Sequence, residues 1–92
     1  MNLYTVYKEF NGEFTVQSVE AASLEKTYRL KERTLAFSCR KTIPKDQLKA
    51  YGAAETAAEA IQVAKDACKE EISRHQRAIQ RAQSDLLKLG AL

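Results

Sequence analysis

The chain predicts an α+β fold, an antiparallel meander of about four strands followed by one long C-terminal helix that is partly coiled-coil-like. Three observations carry that reading. Residues 56–89 contain no Gly and no Pro and are rich in Ala, Glu, Lys, Gln, Arg and Leu, all good helix formers. Residues 1–52 hold short β-branched and aromatic runs punctuated by Asn11-Gly12, Pro44 and Gly52. Apolar residues of the terminal stretch recur in alternating steps of four and three, the period of a helix with one buried stripe. Ninety-two residues make a single domain. It divides into a β-meander with its connection over 1–52 and a helix over 56–89.

The first strand is expected from Leu3 to Phe10. Asn11-Gly12 then reads as a two-residue type I′ turn, because both residue types tolerate positive φ. Glu13 to Ala21 returns. A two-residue loop sets Phe10 opposite Glu13, Lys8 opposite Thr15, Val6 opposite Gln17 and Tyr4 opposite Val19. Neither face of this hairpin is purely polar, so it is read either as partly covered on both sides or as keeping one face for a partner. Ala22 to Glu25 is a turn or a short helical piece. Lys26 to Lys31 alternates as a strand with Tyr28 and Leu30 on one side. Glu32, Arg33 and Thr34 connect it to a further strand, Leu35 to Ile43, with Leu35, Phe37 and Cys39 on one face. Pro44 ends that strand because it cannot donate to a ladder. Asp46 to Leu48 makes one turn, and Tyr51-Gly52 leads into the helix.

The helix has its own start and stop signals. Thr56 and Glu59 form a capping-box pattern. Gly90 is the residue type that most readily takes a left-handed conformation past a helix end. Within the helix, Lys65, Ile72, Ile79 and Leu86 form one heptad column, and Ile61, Cys68, His75, Ala82 and Leu89 form the other. Ala57, Ala60, Val63, Ala64 and Ala67 widen the stripe in the first half only. A broad stripe suits a sheet and a narrow one suits a partner helix. A helix this long also exceeds a strand of typical length, about 20 Å. The first half is therefore expected to cover the sheet. The second half is expected to project and self-associate through Ile72, His75, Ile79, Ala82, Leu86 and Leu89.

Charge is unevenly spread. The formal net charge is +3, but residues 1–25 balance to −3, residues 26–49 to +6 and residues 50–92 to zero. Lys26, Arg29, Lys31, Arg33, Arg40 and Lys41 form the candidate partner surface, suited to phosphates or to an acidic protein. Basic residues on a half-buried sheet also keep edge strands from pairing, which needs no ligand. No aromatic-rich RNA-binding sequence, GXXG loop or helix-turn-helix pattern is present.

Catalytic chemistry finds little support. His75 is the only histidine. It neighbours Glu71 one turn away but has no hydroxyl or thiol at a predictable distance. It reads as a polar seam residue that sets register or partner choice. If two copies of His75 meet across a dimer seam, acid should loosen the pair. The carboxylates Glu55/Glu59 and Glu70/Glu71 lie on an Ala-rich helix start and a solvated face, with no pocket to set them to acid–base work. Gly12, Gly52 and Gly90 are isolated and make no phosphate loop. Cys39 and Cys68 have no second ligand nearby, so they read as free thiols in a reducing compartment. No cofactor, metal or small-molecule substrate is expected, and the chain reads as a non-enzyme. No apolar run is long enough to span a membrane, and residues 1–10 lack the pattern of a secretory signal. The cytoplasm is the expected location.

The layout resembles a class of small phage or prophage accessory proteins. The likeness rests on the KTYRLK strand, the IPK-D-x-L turn from Ile43 to Leu48 and the T-x-x-E helix start at Thr56. The resemblance implies a protein that binds a host macromolecule and blocks or redirects it, with no functional residues transferred. The expected function is thus that of a small accessory or inhibitor protein, a homodimer through its C-terminal helix with a protein partner. Two alternatives stand beside it. One is a nucleic-acid-binding regulator using the basic second hairpin. The other is a purely structural self-associating subunit.

Overall fold

A computed structural model describes residues 1–92. The strands are β1 (Asn2–Lys8), β2 (Phe14–Ser23), β3 (Thr27–Leu30), β4 (Thr42–Pro44) and β5 (Ala53–Ala54), followed by the helix α1 (Ala57–Gly90). Single 3-10 turns occupy Leu35–Phe37, Lys45–Gln47 and Lys49–Tyr51. The sheet is antiparallel and curled, in the order β4-β3-β2-β1-β5. The first four strands form the expected meander. The two-residue β5, which falls between the expected connection (1–52) and the expected helix (56–89), adds to the free edge of β1.

The first hairpin takes a different register from the expected one. Leu3 faces Val19, Thr5 faces Gln17 and Tyr7 faces Thr15. The loop holds three residues, because the Glu9 N–H donates to the Glu13 carbonyl at 2.7 Å. Within that loop only Gly12 has positive φ, at 91°. A type I′ turn requires positive φ at both central residues, and Asn11 does not adopt it. Its side chain instead accepts from the Glu13 N–H at 3.0 Å. A one-residue change of register exchanges the two faces of a strand. The register seen here puts Leu3 and Val19 side by side in the core; the expected one would have set Leu3 against Glu20.

The strand expected from Leu35 to Ile43 is mostly not a strand. Leu35–Phe37 is a 3-10 turn, Ser38 and Cys39 are both left-handed at φ 56° and 54°, and only Thr42–Pro44 pairs with β3. The alternation of Leu35, Phe37 and Cys39 therefore does not place them on one face. Phe37 is buried, whereas Leu35 and Cys39 are exposed. Covering the sheet decides this. Phe37 packs into the cluster formed by Leu3, Val19, Ala21, Tyr28, Leu30, Ile43 and Ala53, with Ala36, Leu48 and Tyr51 against its rim. The segment between β3 and β5 thus closes the sheet's inner face. Thr5 is the one buried polar residue, and its hydroxyl donates to the Gly52 carbonyl at 2.7 Å. That bond clamps the left-handed Gly52 turn (φ 72°) onto β1.

Helix α1 starts where expected. Thr56 has extended backbone and its hydroxyl accepts from the Glu59 N–H at 3.2 Å, satisfying one free donor of the first turn. The return bond from the Glu59 carboxylate is not made. Gly90 does not act as a left-handed cap. It stays helical, and the N–H of Ala91 bonds back to the Lys88 carbonyl. A left-handed ending is favoured when the next apolar residue folds onto the last turn; Leu92 is fully exposed instead.

The first turns of α1 touch β1, β5 and β2. Ala60 is buried there, and Ala57, Val63 and Ala64 are half-buried. From Lys65 onward every residue is exposed. The molecule measures 61 × 32 × 22 Å with a radius of gyration of 18.3 Å, against roughly 12 Å for a compact chain of this length. The projecting rod accounts for the excess.

Candidate interaction surface

The seam residues lie together on the projecting half of α1. Ile72, Ile79, Leu86 and Leu89 are 57%, 56%, 70% and 63% exposed. These are β-branched and γ-branched side chains with no intramolecular cover, spread over seventeen residue steps, or about 26 Å of helix. Ala82 and Cys68 lie on the same stripe, with the Cys68 thiol free. The His75 Nε2 is 3.8 Å from Glu71 Oε1, both side chains being mostly solvated. Leu87 is 79% exposed and stands just outside the seam. Sequence reasoning passed over it because it breaks the three–four spacing.

The core makes no use of this stripe. The sheet buries Leu3, Leu30 and Ile43 completely without any residue beyond Ala60. An apolar stripe confined to solvent is costly, at roughly 25 cal/mol per Å² left wet, and contiguous patches of this kind mark interaction sites.

The basic residues are exposed but do not form one patch. Arg29 and Lys31 lie on the outer face, because Tyr28 and Leu30 alternate inward. The Lys31 ammonium donates to Glu20 at 3.0 Å across the β2–β3 pair. This contact holds the Glu20 carboxyl below, and the Lys31 ammonium above, their ordinary values. Arg40 leaves that face, and its guanidinium lies 4.2 Å from the centre of the Tyr51 ring. Lys26 occupies the β2–β3 turn and Arg33 the connection after β3. Lys41 lies just before β4, its carbonyl accepting from the Leu30 N–H at 2.8 Å. Lys45 is one of two basic residues of the 26–49 stretch, with Lys49, that lie outside the six candidates. Lys45 packs closely against the sheet. It donates to Ser23 Oγ at 2.7 Å and sits 5.2 Å from the centre of the Tyr28 ring. No aromatic ring among these basic residues is free to stack on a base: Tyr28 and Phe37 are buried, and Tyr51 already carries the Arg40 guanidinium.

The outer sheet face also exposes Phe14 and Val16, with the Lys8 ammonium 5.9 Å from the Phe14 ring centre. A groove of about 610 Å³ runs between the early turns of α1 and residues 45–54. Leu48, Ala53 and Val63 line it, with Lys49, Glu59 and Asp66 among its charged residues. No group of three His, Cys, Asp or Glu side chains is arranged to hold a metal ion. No helix is long and apolar enough to cross a membrane.

No protein-family model, curated protein or solved structure matches the chain.

Proposed function

We propose that the chain is a non-enzymatic interaction protein, self-associating through α1 and acting by occupying the surface of a protein partner. One observation carries the reading: Ile72, Ile79, Leu86 and Leu89 stay exposed on a rod that the sheet does not need. A chain whose core closes without these residues keeps them for another surface. The proposed occupant of the seam is a second copy. Heptad spacing is the pattern that a second helix reads, and the polar positions Lys65 and His75 fall inside it.

The sheet end is the part proposed to meet the partner. Its outer face offers Phe14 and Val16 as apolar contacts, with Lys8 beside Phe14 and with Arg29 and Lys31 further along the same face, opposite Ala22 and Glu20. That mixture of aromatic, aliphatic and cationic groups suits a protein with an acidic surface. The proposed setting follows the resemblance of the sequence to small phage accessory proteins, which implies a partner that is a macromolecule of the host cytoplasm.

Nucleic-acid binding is the second reading, favoured by the exposure of all six basic candidates. Against it, Lys31 is matched by Glu20, and Arg40 is turned onto Tyr51. Sedimentation of the purified chain tests self-association. Affinity capture from host extract, with and without nuclease, tests the partner. A nuclease-resistant partner whose affinity changes little with salt supports the proposal. Binding that needs nucleic acid, and that falls steeply with salt as counterions are displaced, replaces it with the second reading. Self-association with no captured partner leaves only a structural subunit.

A further inference from the structure

The projecting helix carries its charge asymmetrically, and that asymmetry bears on how two copies pair. Residues 57–71 carry Glu59, Asp66, Glu70 and Glu71 against Lys65 and Lys69. Residues 72–92 carry Arg74, Arg77, Arg81 and Lys88 against Asp85 alone. The first half of the rod is net negative and the second half net positive. Side chains on the seam are asymmetric too: it begins with the polar or small Lys65 and Cys68, alternates Ile72, His75, Ile79 and Ala82, and ends on Leu86 and Leu89.

We infer that two copies pair these helices antiparallel, about a twofold axis near Arg77. The inference rests on the self-association proposed above and adds its orientation and register. In an antiparallel pair each residue of one heptad column meets a residue of the other. Centring the pair at Arg77 sets Ile72 against the partner's Ala82, and His75 against the partner's Ile79. Cys68 meets the partner's Leu86, and the Lys65 stem meets the partner's Leu89.

Every layer then joins a large aliphatic side chain to a small or polar one, the alternation that lets facing layers interdigitate. Lys65 can lay its methylenes along Leu89 and keep its ammonium in water. A parallel pair in register does the opposite. It stacks Lys65 on Lys65 and His75 on His75, and leaves a gap where Ala82 meets Ala82.

Electrostatics acts over the length of the rods and not at the edges of the seam. The antiparallel arrangement lays the negative half of each rod beside the positive half of the other, and it opposes the two helix dipoles. One juxtaposition, made twice by the twofold axis, runs the other way: Glu71 beside the partner's Asp85. Both are exposed, and Lys88 lies one turn from Asp85 to offset it. The geometry also separates the two sheets. From Lys65 to the partner's Lys65 is about 36 Å along the axis, so the dimer presents its two sheet surfaces at opposite ends. A target with two sites at that spacing is held by both.

Disulfide trapping reads the orientation directly. In a background carrying Cys39→Ser and Cys68→Ser, one chain receives Ile72→Cys and a second receives Ala82→Cys. All these positions are exposed in the single chain, and far-UV circular dichroism confirms that each variant keeps its helix. A disulfide needs Cβ atoms about 4 Å apart. The antiparallel register brings position 72 to position 82, whereas two copies of either position lie about 15 Å apart along the axis. The expected result is rapid cross-linking of the mixture and none of either variant alone. A chain that keeps Cys68 but carries Cys39→Ser, mixed with a Leu86→Cys chain in the cysteine-free background, is a second, independent pair with the same expectation, since two copies of either position lie about 27 Å apart along the axis. Cross-linking of single variants by themselves overturns the inference in favour of parallel pairing. A dimer by sedimentation that traps in neither way overturns the register. A monomer at all concentrations overturns the self-association proposal itself.

Discussion

The Tyr28 hydroxyl donates a hydrogen bond to a Glu55 carboxylate oxygen. Tyr28 is a core residue of β3, and Glu55 is the residue before the helix N-cap. The bond therefore fastens the inner face of the sheet to the point where α1 departs, and it bears on how firmly the rod is held. It also pushes the Tyr28 phenol above its ordinary value of 10.0, with burial and the Glu55 charge adding to the effect. The unfolded phenol ionises first as pH rises. The stabilisation is therefore complete below about pH 10 and is lost as pH climbs through the folded-state value. Melting midpoints measured from pH 8 to pH 11 should fall more steeply for the native chain than for Tyr28→Phe. At pH 7 the same substitution should cost about 1 kcal/mol.

The N-cap offers a second test at the same junction. Thr56→Ala removes the hydroxyl that accepts from Glu59 N–H. Urea titration should show a loss of about 1 kcal/mol, and Thr56→Ser should recover most of it.

Phe37 and Leu35 separate the observed 3-10 turn from the expected strand. Phe37 is 3% exposed and Leu35 is 74% exposed. Phe37→Ala should destabilise the chain by about 3 kcal/mol or more, and Leu35→Ala by less than about 0.5 kcal/mol. A strand with both residues on one face would make the two costs similar.

Helicity should depend on concentration. Residues beyond Lys65 have no tertiary partner within the chain, and most of the stability of a protein helix comes from packing its apolar face. Ellipticity at 222 nm should decline on dilution as partner cover is lost, while thermal unfolding of the sheet followed by tyrosine absorbance stays in place. A signal independent of dilution in a chain that sediments as a monomer would count against the seam as a contact surface.

Ile79→Asp places a charge in the middle of the stripe. Ile79 is 56% exposed in the single chain, so the sheet should keep its stability within about 0.5 kcal/mol. Self-association should weaken by at least tenfold by sedimentation equilibrium. Ser73→Asp, on the opposite side of the helix, serves as the control and should leave association unchanged.

Legibility followed how local the deciding forces were. The Thr56 cap and the three–four spacing of the helix are interactions within one or two turns, and a reader of the residues can see them. The register of the first hairpin was out by one residue, because Asn11-Gly12 is compatible with either a two-residue or a three-residue loop. Only the burial of Leu3 beside Val19 chooses between them. Leu35 to Ile43 has the alternation of a strand, but the sheet needed a lid, and Phe37 at the bottom of a tight turn supplies it. The basic candidates were legible as charges but not as a surface. Pairing of Lys31 with Glu20 and stacking of Arg40 on Tyr51 depend on residues distant in the chain.

By itself the amino-acid order determined the α+β division, the start of the rod and the apolar stripe along it. Each follows from propensity, capping and periodicity, which act between near neighbours. Tertiary structure alone decided where the sheet stops covering that stripe. The five strands close their core with a folded-over loop and the first two turns of the helix, so Ala60 is the last buried residue. Burial is a contest among segments for a limited inner surface. Its outcome belongs to the whole chain and not to any stretch of it.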